Sequence, residues 1–541
     1  MDNMSDHLFD CIVVGSGPAG VMCAQTLVEA GKQVLLMDGG FNSQEEDKQH
    51  GKSFTEIRKT DNEQRNVFLG KELNVIDIEP GKAYSHMTPQ RKFVIDGVNE
   101  YMPMESQDYA GMESLAIGGL GAAWGLGCFK FSDAELIKAG LDTSKMKAAY
   151  QIVADRIGIS YSSDDIQKFT ANDLQRLQPS INLDDNGKEL LKRYTAKRSV
   201  INKDKLYAGI PPLALLTNNK DGRDATDYSN MDFYYNYGNS AYRPSVTLNL
   251  LKSKPSFFHL PRVLITSFEE NENEVLVHGL KIASKNKISF KCRKLALASN
   301  VLSSARIALR SFNLYNKRLP FLCNPYSMLA TLQYRQIGKA PSTKRTSTAQ
   351  VCIFYDKDDN AGDMPMASLY PYSSLMLFRL IKESPLNYKA SMKILKHLHP
   401  AIVVAGIHHP TERTKEKYIF IYEDNSTLTG DKLKVVYTLN QDEKSIMRKN
   451  EHKFAKVLRQ LGCLPFKKTI APSGASVHYA GTIPFNDSDS PLSLSAAGLL
   501  SGTKNVYVSD ASGFRYLPAK GATFTIMANA HNTALNIIKH A

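Results

Sequence analysis

Hydrophobic and polar positions alternate along this chain with two different periods. Residues 11–14 (CIVV) and 33–37 (QVLLM) are short, almost unbroken apolar runs, the pattern of strands buried on both faces. Residues 21–30 between them carry apolar positions at helical spacing, and Gly31 ends the pattern. Further strand-like runs lie at 261–266 (PRVLIT), through the hairpin-like stretch VLVHGLKIASKNKISFKCRKLALAS, at 295–299 and at 505–510 (NVYVSD). Helices are expected over 303–309 and 523–538. Another is expected over 442–462, where Ile446, Phe454, Val457, Leu458 and Leu461 form a core-facing stripe. No internal repeat or low-complexity run interrupts this order.

The join between the first strand and the first helix is the most informative stretch. GSGPAG sets Gly15, Gly17 and Gly20 in GxGxxG spacing. Such glycines allow a tight turn, close approach of a pyrophosphate, and close packing of helix on sheet. The helix amino terminus, reached through Pro18 and Ala19, turns unpaired N–H groups and a partial positive charge toward that pyrophosphate. Asp38 ends the second strand, with Gly39 beside it, where a carboxylate binds ribose hydroxyls. An acid there suits a free 2′-hydroxyl, so FAD or NAD rather than NADP. A plain turn between core elements would require neither the glycines nor the acid.

The loop leaves FAD and NAD open, and later segments favour FAD. Residues 116–127 (AIGGLGAAWGLG) gather Gly118, Gly119, Gly121 and Ala122 around Trp124, the single tryptophan. A glycine-dense apolar loop suits close backbone approach to a flat isoalloxazine, whereas a merely flexible loop is seldom so apolar. Val263 sits where a backbone N–H and C=O would pair with an adenine edge, the alternative being a generic three-stranded excursion. Asp510, followed by Ala511, ends a strand next to a helix that opens at Thr523. It reads as a ligand of ribitol or diphosphate, or as a plain helix cap.

Composition narrows the class. At 541 residues and 43% hydrophobic, the chain is globular, with roughly three to four domain-sized units or two large interleaved ones. The net charge of +13 favours anionic partners. The basic residues are scattered and not interleaved with aromatics, which argues against nucleic acid. Seven cysteines without a CxxC pair point to a reducing compartment and away from disulfides or a zinc module. The polar, acidic first ten residues do not read as a signal peptide, and no apolar run approaches about 20 residues, so a cytoplasmic protein is expected. His408 and His409, and the His397/His399 pair, lack an accompanying Cys or carboxylate cluster, so no metal is expected.

In this order the motifs resemble the glucose–methanol–choline (GMC) oxidoreductases, FAD enzymes that oxidise alcohols and sugars. The resemblance covers the glycine loop, LALASNVLSSARIALRS (294–311), HYAGT (478–482) and NVYVSDASGF…GATFTIMANA. The middle, roughly 130–255 and 311–465, shows little similarity. The resemblance implies an α/β, Rossmann-like FAD domain of separated segments (1–40, 108–135, 256–310 and 470–541). It implies an α+β, sheet-and-helix substrate domain from 136–255 and 311–469, with 41–107 as an insertion. Two departures matter. Relatives carry His or Asn beside their catalytic His, and aligning GATFTI with the usual NPTLTI puts Gly521 at that position; Lys520 or a substrate-domain residue is the expected replacement. AAWG offers no His for a covalent flavin link, so FAD is expected to be noncovalent.

The chemistry then follows. An alcohol oxidation needs a base for the hydroxyl proton while hydride leaves for the flavin, and His478, with an ordinary pKa near 6.5, is the candidate. The expected substrate is a small hydroxylated molecule, of sugar or glycoconjugate type. Alternatives are an FAD enzyme of another reaction type, carbonyl reduction or isomerisation, or a non-catalytic FAD-fold binding protein. The polar stretch 41–107 reads as a lid or an interaction arm. The basic, Leu- and Met-rich stretch 373–399 reads as amphipathic helices, packed on the substrate-domain sheet or laid on an anionic membrane.

Overall fold

The computed structural model describes residues 7–42, 57, 60–69, 89–228, 236–340, 348–371 and 384–540. Leu8–Val14 and Val34–Met37 form the expected strands, joined by the helix Pro18–Glu29. They pair in parallel, Val14 beside Met37, and Leu8–Val14 also runs parallel to Lys287–Leu297. The sheet has seven strands. In spatial order they are Phe257–Leu260, Val34–Met37, Leu8–Val14, Lys287–Leu297, Val275–Lys281 and Val263–Glu270, and Val506–Val508 also pairs with Lys287–Leu297. Both faces of its centre are covered. Ile12, Val13 and Val34 to Met37 are fully or almost fully buried, which is why these strands are continuous apolar runs rather than alternating ones. Helix Pro18–Glu29 packs against Thr523–Lys539, and Thr26 Oγ1 meets His531 Nδ1 at 2.8 Å between them.

A second sheet is six-stranded and antiparallel. Its order is Cys463–Ile470, Tyr326–Gln333, Ile402–His408, Met366–Pro371, Val351–Tyr355, Leu206–Gly209. Leu329, Ile353, Ala405 and Ile407 face the helices Asp185–Lys203 and Gln441–Gln460 in one core cluster. The other face carries Tyr326, His408 and Met366, which stand side by side in register across three strands. Because strand side chains alternate between faces, His408 points to this second face, while His409, one residue on, meets Asn450 of the helix Gln441–Gln460.

Two expectations change. Ile446 is 52% exposed, and Met447 takes its place at the start of the stripe, whereas Phe454, Val457, Leu458 and Leu461 are buried as expected. Part of 41–107 is built into the body. Tyr101 and Met102 join Leu115, Leu264 and Ile282 in a core cluster, and Met104–Glu105 pairs in parallel with Asp431–Tyr437. The rest of that stretch largely lies outside the described residues, as does 373–383. Beyond it, Tyr388–Leu398 is a helix, with Leu386, Tyr388 and Ile394 exposed. Among the described residues, no helix is long and apolar enough to cross a membrane.

Candidate active site

The first crossover is shaped by what cannot fit there. Gly15 has φ +103°, and a Cβ on it would lie 2.7 Å from the Ala298 carbonyl oxygen. A Cβ on Gly20 would lie 1.8 Å from the Gly15 carbonyl oxygen, so the helix can sit this close only with glycine there. Above Gly17, by contrast, only the Gly118 oxygen, at 3.9 Å, comes within 4 Å of such an atom, which leaves open space. The helix starts at Pro18 with no side-chain cap, so its first N–H groups are left for a ligand. The Gly118 N–H donates to Ser16 Oγ at 3.0 Å and ties the glycine-rich segment to this loop. Asp38 is buried. Its Oδ1 lies 3.3 Å from His259 Nε2, and its Oδ2 has no partner, an acceptor that suits a ribose hydroxyl.

A cavity of about 450 Å³ runs from this loop to His478. Its wall includes Gly15, Gly17, Pro18, Ala19, Asp38, Gly39, Gly119, Gly121, Trp124, Val263, Asp510, Ala511 and Thr523. Gly20, Gly118 and Ala122 stand behind the wall; Ala122 packs with Phe93 and Val94. Two roles read from the sequence are revised. The Val263 N–H already donates to the Asp38 carbonyl at 3.0 Å, so it is not free to pair with an adenine. The Asp510 carboxylate accepts from the Ser512 N–H and hydroxyl through Oδ1 and from the Ser304 hydroxyl through Oδ2. It caps the turn Ala511–Gly513, and burial pushes its carboxyl up.

At the far end the six-stranded sheet closes the cavity. His478 sits after a tight turn in which Val477 has φ +57°, a conformation that costs a β-branched residue energy and is held by its surroundings. The next residue, Tyr479, pairs with Cys323, and this pairing brings Asn324 beside His478. The Asn324 amide NH2 donates to the carbonyls of His409 (2.8 Å), Pro518 (3.1 Å) and Leu517 (3.3 Å). Its oxygen therefore faces His478 Nδ1, at 3.1 Å. Turning the amide over would set its oxygen against three carbonyl oxygens. His478 is thus held with its proton on Nδ1 and a lone pair on Nε2. A Cβ at Gly521 would come 3.8 Å from that Nε2, the approach left free by the glycine.

Burial pushes His478 down to about 4 and His408 well below the ordinary histidine value, in the latter with help from His478 itself. His478 retains some exposure because it opens on the cavity rather than on bulk water. Both rings are neutral at pH 7. They are stacked, with centroids 4.9 Å apart and planes at 24°.

Lys520 is placed elsewhere. Its ammonium donates to Glu135 (2.7 Å) and to the Lys130 carbonyl (3.1 Å), both partners of the ion pair are fully buried, and it is not on the cavity wall. The strand before Lys520 leads it into the body, so it does not replace the polar group missing at Gly521. Sequence reading missed Asn324, His259, and the wall residues Phe129, Tyr326, Ala349, Met366, Ser368 and Tyr370. None of these sits in a motif, and only the fold brings them together. His408 stands in the sequence only as half of a His–His pair without a metal cluster, and nothing near it in sequence marks it for the site.

Residues 10–46 match the family model described as FAD binding domain. A search of curated proteins found no match. Among solved structures, pyridoxine 4-oxidase from Mesorbium loti is similar at 12% sequence identity and a TM-score of 0.59, over 98% of this chain and 100% of that one. The FAD-binding segment at the first crossover and the fold shared with that oxidase agree with the arrangement expected from the GMC resemblance: a Rossmann-like sheet built from separated segments, joined to a second sheet that closes the site.

Proposed function

We propose that this chain is an FAD-dependent oxidoreductase that oxidises a hydroxyl group of a small molecule, with His478 Nε2 as the base. The observation that carries this reading is the orientation of His478. Its lone pair is fixed by Asn324 and opens on the same cavity as the phosphate loop. The residues fit the cofactor: the bare helix start at Pro18, the space above Gly17 and the unpartnered Asp38 Oδ2 suit its diphosphate and ribose. When bound, FAD supplies the acceptor for the hydride. Residues 116–127 contain no His, Cys or Tyr, which supports noncovalent binding.

The wall residues near the six-stranded sheet define the substrate pocket. Phe129, Tyr326, Ala349, Met366, Ser368 and Tyr370 offer aromatic and apolar surface with a few hydroxyls. Among the described wall residues the ionic side chains lie toward the other sheet and are all partnered. Asp38 meets His259, Arg306 pairs with Glu113, Arg310 with Asp431, and Asp510 is bonded by serines. An uncharged alcohol with an aromatic or apolar body suits such a wall. A free sugar would leave many hydroxyls without partners, so of the sugar-type readings only a glycoconjugate with an apolar portion agrees with it. Pyridoxine, after which the similar oxidase is named, is itself an aromatic alcohol.

The free, buried cysteines support a reducing, cytoplasmic setting. A peripheral membrane contact rests on exposed Leu386, Tyr388 and Ile394 beside Lys389, Lys393 and Lys396, and co-sedimentation with anionic vesicles tests it.

The central test is spectroscopic. The purified protein is expected to be yellow, and an uncharged primary alcohol should bleach it without oxygen. His478→Ala should keep the flavin and slow bleaching by about 10²- to 10⁴-fold. A rate within about threefold of wild type would remove His478 from the base role.

A further inference from the structure

We propose that His408 is a second catalytic group, whose imidazole donates a hydrogen bond to the substrate oxygen while His478 takes the hydroxyl proton. The inference rests on the oxidoreductase reading and deepens it. Removing that proton leaves negative charge on the oxygen, and a positioned donor at that atom lowers the barrier. Gly521, at the approach to His478 Nε2, has no side chain to serve, and Lys520 is committed to Glu135.

His408 meets the geometric requirements. It is the last residue of Ile402–His408, on the sheet face that forms the cavity wall, and it is only 8% exposed. Its ring lies against His478 on one side and against Tyr326, 4.5 Å between centroids, on the other. Stacked imidazoles present their edges side by side, so one oxygen atom can meet a nitrogen of each. Nδ1 of His408 is buried without a partner, and no hydrogen bond from another described residue holds either ring nitrogen. Nδ1 is enclosed, so Nε2, which is neither enclosed nor bonded, is the nitrogen left to meet a group in the cavity. The two rings thus divide the work. Asn324 fixes His478 as acceptor, whereas His408, with no fixed tautomer, can carry its proton on the nitrogen that faces the substrate oxygen and act as donor. The proton goes to His478 Nε2, and the hydride goes to the bound flavin.

The test compares FAD-loaded wild type with His408→Phe, which keeps a stacked ring without N–H groups, and His408→Gln, which restores a donor. Two probes are used. Benzyl alcohol reports flavin reduction in the absence of oxygen. The tertiary alcohol 2-phenyl-2-propanol has no carbinol hydrogen to give up, and calorimetry reports its binding alone. His408→Phe is expected to slow reduction about a hundredfold and to weaken the tertiary alcohol about tenfold. His408→Gln should recover most of both. Reduction by the Phe variant within about threefold of wild type, or a folded Gln variant no better than Phe, overturns the proposal. A yellow wild-type protein that no primary alcohol bleaches has a different meaning: it overturns the oxidoreductase reading itself, and this inference with it.

Discussion

The two sheets that meet at the cavity are made from opposite kinds of sequence. The seven-stranded sheet begins with strand, loop, helix and strand in one unbroken run from Leu8 to Met37, and its chemistry is mostly backbone: N–H groups at a helix start and room above a glycine. The six-stranded sheet draws its strands from positions as far apart as Leu206–Gly209 and Cys463–Ile470, and its contribution is side chains. Backbone chemistry leaves a motif, because few residue types permit the required conformation. Side-chain chemistry assembled from distant segments leaves none, because no single strand carries more than a few of the residues.

If this contrast is correct, the sharpest break comes from Gly20→Ala. Its new methyl would meet the Gly15 carbonyl oxygen, so the crossover must open. We expect little or no FAD in the purified protein and a loss of roughly 3 kcal/mol in stability. Flavin content per chain and a thermal melt measure this, and a fully yellow Gly20→Ala protein of wild-type stability would sink the idea.

Asn324→Ala should act only on the other sheet's contribution. With Nδ1 of His478 no longer held, the ring can adopt the wrong tautomer, and reduction by alcohol should fall about 10- to 100-fold while flavin content stays as in wild type. Loss of flavin together with activity would mean that the two sheets do not contribute independently.

The smallest effect is one of acid stability. Burial pushes His409 down to about 3, against an ordinary value of 6.5, so between these limits the unfolded chain binds the proton more readily. Stability from the neutral buried ring is therefore complete above about pH 6.5 and is lost as the pH falls toward 3. Between pH 7 and pH 5 the loss is about 2 kcal/mol. Asp164, Glu135 and Asp510, whose carboxyls burial pushes up, act in the opposite sense, so a comparison isolates the ring. The difference in unfolding free energy between wild type and His409→Gln should shift by that amount from pH 7 to pH 5. A constant difference would mean that His409 is hydrated in the folded protein.

Much of the first sheet was legible. The strands around Gly15, Gly17 and Gly20, the helix after them, and the terminal Thr523–Lys539 helix agree with the apolar pattern to within a few residues. Where reading failed, a tertiary contact had intervened. Val263 reads as free in sequence, but its N–H donates to the Asp38 carbonyl, and Lys520 reads as catalytic, but its ammonium is held by Glu135. Ile446 shows a smaller error: the side of the helix that meets the core can be read from sequence at Phe454, Val457, Leu458 and Leu461, but at its first turn the fold buries Met447 instead.

By itself, then, the amino-acid sequence determined the dinucleotide loop and the acid at its second strand, since these depend on residues close together and on conformations that few side chains allow; the candidacy of His478 came with the family resemblance of HYAGT. The folded arrangement alone decided which tautomer His478 adopts, that His408 and not His409 reaches the cavity, and that Lys520 turns away from it. Those outcomes depend on partners hundreds of positions distant, and on the strict two-residue alternation of a strand, where a shift of one place sends a side chain to the opposite face.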